Sequence, residues 1–189
     1  MSDDGLTLET RPLKQQPFYK VVLPELAARE AQPSSCASGL HGDPVITSSM
    51  TTFTPSYLSD GSFGVCYLYS TVEHAVNTIM AAIEPMLMIG APQLRDIPFS
   101  VVSFEVSGDV LDCFNRQGEE LFDWDTDIQT LGRMMLDEGA QGVLFPDPCG
   151  FDRSPALCVF DPWTTRRMND HRSVRVHWDG SGFNGYAFD

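Results

Sequence analysis

FGVCYLYSTVEHAVNTI, residues 63–79, carries two periodicities in seventeen residues. In GVCYLY (64–69), Val65, Tyr67 and Tyr69 alternate with Cys66 and Leu68, the two-residue repeat of a strand with both faces covered. From Ser70 the repeat changes. Val72, Ala75, Val76, Ile79, Met80 and Ile83 recur at helical spacing, Ser70 and Glu73 are spaced as a capping box, and Pro85 predicts the end of the helix. A strand that hands over this abruptly to a helix is a common place to build a site. Tyr67 and Tyr69 share one face at that junction, where two aromatic rings either pack the core or form the floor of a pocket for a planar ring. Both alternatives stay open on the residues alone.

Outward from this junction the chain reads as strands with few helices between them. PFYKVVL (17–23), FSVVSFEV (99–106), GVLF (142–145), ALCVF (156–160) and SVRVHW (173–178) predict strands, and IQTLGRMMLDEG predicts a helix closed by Gly139. Residues 32–62 are rich in Ser, Thr, Gly and Pro and predict a long loop with one short strand at PVITSS (44–49). DGSGFNGYAFD at the end predicts turns with edge pairing, and residues 1–16 a polar tail before a single domain over 17–189. Strands and helices are not regularly interleaved, so the expected class is α+β.

Composition narrows the function classes. The 189 residues carry a net charge of −14, which opposes nucleic acid and anionic membrane surfaces alike. Five of the twelve Lys and Arg residues fall between Arg153 and Arg175, so a local basic region is expected within an acidic whole. MSDDGLTLETRPLKQQ carries acids and lacks the apolar segment of a signal peptide, and no run approaches eighteen apolar residues; a protein without a membrane span is expected, cytoplasmic or delivered to a target-cell cytosol by a signal-less route. The five cysteines form no CxxC pair and no Cys/His pattern, so neither a disulfide framework nor a metal site is expected. Nucleotide-binding glycine loops and the common hydrolase motifs are missing as well.

Among polar candidates, His41 in SGLHGDP (38–44) is either a surface turn residue or a partner for a ribose hydroxyl. Glu73 is accounted for by the capping box, and the acids from Glu119 to Asp127 by a solvated helix start.

The order of pieces resembles the RES domain, a family related in fold to the diphtheria-toxin and poly-ADP-ribose-polymerase type of ADP-ribosyltransferases. The resemblance rests on FYKVV (18–22), TFTP (52–55), FGVCYLYSTVEHAVNT (63–78), DVLDCF (109–114), TLGRMMLDEGAQGVLFPD (130–147) and LCVFDP (157–162), and spans residues 17–162. It implies a split, mixed β-sheet with flanking helices, and NAD as substrate of a glycohydrolase or transferase acting as a toxin or effector. A protein target, or a cognate antitoxin or immunity protein, would be the macromolecular partner. It also implies site positions: the family's two arginines fall at Lys20 and Thr52, its tyrosine is Tyr67, its helix glutamate falls at Thr78, and its serine after a proline falls at Asp147. Lys20 keeps the charge without the arginine fork, and Thr78 supplies no carboxylate. In the wider superfamily a His–Tyr–acid trio does the same work, and His41, Tyr67 and Asp147 stand in that chain order. The alternative is a catalytically inactive module that binds a nucleotide or a protein.

Overall fold

The computed structural model describes residues 10–13, 17–28, 42–90, 93, 95–113, 127–147 and 154–189. Among these residues nine strands make one mixed sheet: β1 (Thr10–Pro12), β2 (Pro17–Val22), β3 (Cys66–Tyr69), β4 (Arg95–Val106), β5 (Asp109–Asp112), β6 (Gly142–Pro146), β7 (Pro155–Val159), β8 (Thr165–Trp178) and β9 (Phe183–Phe188). Their spatial order is β1-β5-β6-β7-β3-β2-β4-β8-β9. Among the described residues four helices accompany them: α1 (Pro24–Ala27), α2 (Pro44–Met50), α3 (Val72–Gly90) and α4 (Ile128–Asp137). All neighbours in the sheet are antiparallel except β5 and β6, which α4 connects as a crossover. The class is α+β, as the unalternated strand pattern implies.

The sheet is two halves joined by a narrow seam. β3 and β2 pair through Tyr69 opposite Tyr19 alone, whereas β2 and β4 share six partner pairs. One face of both halves rests on α1 and α2, with Val45, Ile46 and Met50 packed among Phe18, Leu68, Phe104 and Leu157. The other face carries two cores. Leu131 and Met135 of α4 cover the β6–β7–β3 half, and Ala75 and Val76 of α3 cover the β2–β4–β8 half. Tyr69 packs against both.

Several elements depart from the sequence expectation. PVITSS is helical, not a strand, because Asp43 caps it: its side chain accepts from Val45 N at 2.8 Å and Pro44 occupies the first turn. Burial of Val45 and Ile46 then outweighs their β propensity. α3 runs five residues beyond Pro85 to Gly90. Ala81 and Pro85 are both exposed, so the carbonyl deprived of its donor faces water. The α3 cap sits one residue later than the box predicts. Ser70 still donates its N–H to Pro155 O at 3.2 Å, as part of the sheet, and Thr71 Oγ1 accepts from His74 N at 3.1 Å. Thr10–Pro12, inside the segment read as a tail, pair with β5, and the C-terminal turns close into β9 along β8.

Candidate functional site

Between the two cores on the α3/α4 face lies a cavity of about 150 Å³. Tyr57, Tyr67, Tyr69 and Phe145 form its aromatic walls, and Thr78 and Asp147 its polar ones. An apolar space of this size takes a guest about as large as a single benzene ring.

Each wall has a local cause. Strand alternation turns Cys66 and Leu68 into the α1/α2 core and leaves Tyr67 and Tyr69 on the other face, half-buried. The Tyr67 ring meets Phe145 edge-on at 6.2 Å, and Tyr57 stacks on Phe145 at 5.6 Å. The Tyr67 hydroxyl accepts from Leu58 N at 2.8 Å and shares a hydrogen bond with Ser56 Oγ at 3.0 Å. Gln129 Nε2 of α4 donates to Ser56 O at 2.9 Å, so the segment that presents Tyr57 is held from two sides. Burial is the main cause that pushes the Tyr67 phenol far above its usual range, with the neighbouring Cys158 adding to it. Tyr67 therefore offers a neutral ring and an engaged hydroxyl.

Asp147 follows β6 directly. Its N–H donates to Ser154 O at 3.3 Å, and its carboxylate Oδ2 lies 2.7 Å from Nε2 of His74. Both residues are 7% exposed. His74 stands in the first turn of α3, its ring 4.7 Å from that of Tyr69 and tilted 52°. A carboxylate at the start of a long helix also gains from the helix dipole. Thr78, one turn beyond His74, donates its hydroxyl to His74 O at 3.0 Å.

Of the residues singled out in the sequence, Tyr67, Thr78 and Asp147 meet in this cavity. Lys20 takes another position. It shares a face of β2 with Phe18 and Val22, and its Nζ donates to Tyr67 O at 3.2 Å where the β2–β3 ladder has opened. Thr52 is exposed beyond α2, its hydroxyl on Ser48 O at 3.0 Å, and does not line the cavity. His41 lies outside the described residues. Sequence reasoning missed His74, although it stands four residues before Thr78 and so shares its helix face. The expected basic region is partly internal: Arg167 pairs with buried Asp43 at 2.7 Å and donates to Ala27 O. Among the described residues no group of His, Cys, Asp and Glu could hold a metal ion, and no helix is long and apolar enough to cross a membrane.

No protein-family profile matches the chain, and no curated protein matches it in sequence. Among solved structures, it is similar in fold to a chain of the M. tuberculosis MbcT–MbcA toxin–antitoxin complex. The TM-score is 0.54 at 16% identity, over 95% of this chain and 86% of that one.

Proposed function

We propose that the protein is a toxin-type enzyme that consumes NAD⁺, cutting the bond between nicotinamide and ribose. The observation that carries this reading is the meeting of Tyr67, Thr78 and Asp147 at one ring-sized aromatic cavity. These residues come from β3, α3 and the end of β6, and they are three of the five positions at which the RES resemblance implies a site, Lys20 and Thr52 lying elsewhere. The likeness to a chain of a toxin–antitoxin complex supports the toxin class and, with it, a neutralising protein partner.

The chemistry follows from the walls. The nicotinamide ring of NAD⁺ is a flat pyridinium cation, which aromatic faces and a carboxylate both attract. The cavity is large enough for that ring alone, so the rest of the dinucleotide extends outside it; Lys20, on the opposite face of β2, is not placed to meet its pyrophosphate. As the C1′–N bond breaks, both electrons pass to the ring and nicotinamide leaves neutral, while positive charge grows on the ribose. Asp147 supplies negative charge at that point, the role that Thr78 lacks the group to perform. Water then adds its oxygen to C1′ and releases a proton to solvent, giving ADP-ribose. Preorganised charge and the positioning of the reacting atoms do most to lower the barrier in a site of this kind.

One observation favours a second reading, a module that binds a pyridine ring without turnover: the Asp147 carboxylate is already engaged by His74. Incubation of the purified chain with NAD⁺, with chromatography of nicotinamide and ADP-ribose, separates the two. Release of both products at a rate proportional to protein supports the enzyme. NAD⁺ binding by calorimetry with no release supports the module.

A further inference from the structure

We infer that His74 is a positioning residue for Asp147, holding the only carboxylate among the described cavity walls at the angle the reaction uses. This rests on the NAD⁺-cleaving reading above and deepens it. His74 is not itself one of the residues that line the cavity, so any effect it has on a guest passes through Asp147.

The geometry of the pair supports this assignment. An ionised carboxylate only accepts hydrogen bonds, so the 2.7 Å contact makes Nε2 the donor. Nδ1, at the far side of the ring, is buried and meets no hydrogen-bond partner among the described groups. Buried ring nitrogens are normally satisfied, and leaving one unmet carries a cost. The ring packs against Tyr69, and the Thr71 cap on the His74 backbone N–H fixes its turn, so that Nε2 meets Oδ2.

The pair also crosses the seam. His74 belongs to α3, which covers the β2–β4–β8 half, and Asp147 belongs to the end of β6 in the other half. The hydrogen bond therefore registers the carboxylate against the helix that carries Thr78. Loss of that bond takes away a contact that fixes the Asp147 carboxylate, and a displacement of about 1 Å at a reacting centre can cost a hundredfold in rate.

The test uses the full chain, NAD⁺ as the probe, and kcat and KM from nicotinamide release. His74→Phe keeps a ring beside Tyr69 but removes the donor; His74→Asn is too short to reach Oδ2; His74→Gln restores an N–H near the Nε2 position. The expected result is a fall in kcat of about 30- to 100-fold for Phe and Asn, with KM within about threefold and Gln recovering to within about tenfold of wild type. Adding Asp147→Asn to His74→Phe should cost nothing beyond Asp147→Asn alone, because both remove the same ordered carboxylate. Wild-type kcat in the Phe and Asn variants of an active enzyme overturns the inference and leaves the NAD⁺ reading standing. No turnover by the wild type overturns that reading and this inference with it. Thermal melts accompany each variant, and if His74→Phe does not fold, the Asn and Gln pair decides.

Discussion

At the scale of single residues, the cavity separates charge from shape. Asp147→Asn keeps the volume and most hydrogen bonding of the strand end but removes the charge, so the proposed NAD⁺ turnover should fall about a hundredfold, equivalent to about 2.7 kcal/mol, with binding changed far less. A nicotinamide-release assay beside a binding titration checks the split. Tyr67 behaves differently, because its hydroxyl supports Leu58 N and Ser56. Tyr67→Phe keeps the ring yet strands the Leu58 N–H, and should lower stability by about 1–3 kcal/mol in urea denaturation. That Tyr67, Thr78 and Asp147 lie close together was legible because the RES resemblance grouped them, but it grouped Lys20 and Thr52 with them, and these stand away from the cavity. His74 was not legible, because a histidine inside a helical repeat reads as one more position on a face, and its partner lies 73 residues away.

At the scale of elements, strands were easier to read than caps. The alternation in 64–69 puts Tyr67 and Tyr69 on one face, as the structure has them. α2 was hidden because its β-branched residues favour a strand locally, and only the Asp43 cap and the core behind Val45 and Ile46 reverse that preference. α4 had clear boundaries, with Asp127 at its start and Gly139 at a φ of +82° past its end. Its close fit to the 56–63 segment was not visible. A Cβ on Gly132 would lie 2.0 Å from Leu58 O, which no rotamer change relieves. Gly132→Ala, favourable by helix propensity, should instead destabilise by about 1–3 kcal/mol or more and loosen Tyr57 at the cavity. A chemical melt and the fluorescence of a bound nicotinamide analogue report the two effects separately.

At the scale of the whole molecule, a few internal contacts tie distant parts of the chain together. Arg167 on β8 reaches Asp43 at the head of α2 and Ala27 at the end of α1. Arg167→Met would leave the Asp43 carboxylate buried without its partner and should cost about 3–5 kcal/mol, measured by denaturant midpoint. The cysteines give an independent check on burial. Burial pushes the Cys113 thiol up to about 12, and it likewise raises Cys158, with Cys66 beside it adding to the effect. Their thiolates are thus scarce at pH 8, and iodoacetamide should label Cys113 and Cys158 only after denaturation, as peptide mass mapping would show.

The seam between β2 and β3 makes the molecule resemble a book whose covers share one stitch. Tyr19 and Tyr69 are that stitch, and past it Lys20 serves the Tyr67 carbonyl where a ladder partner would otherwise stand. Each half has its own helix and its own core on the cavity side. Prying the halves apart therefore breaks little regular hydrogen bonding, whereas separating β4 from β8 would break a long ladder. Amide protons that point across the stitch should exchange through a smaller opening than those inside β4 and β8, which need wholesale unfolding, and the shared α1/α2 core sets the cost of that opening. A guest seated at the cavity would press against the spine of the book, and its most direct mechanical signature would be slower exchange at Tyr19 and Tyr69.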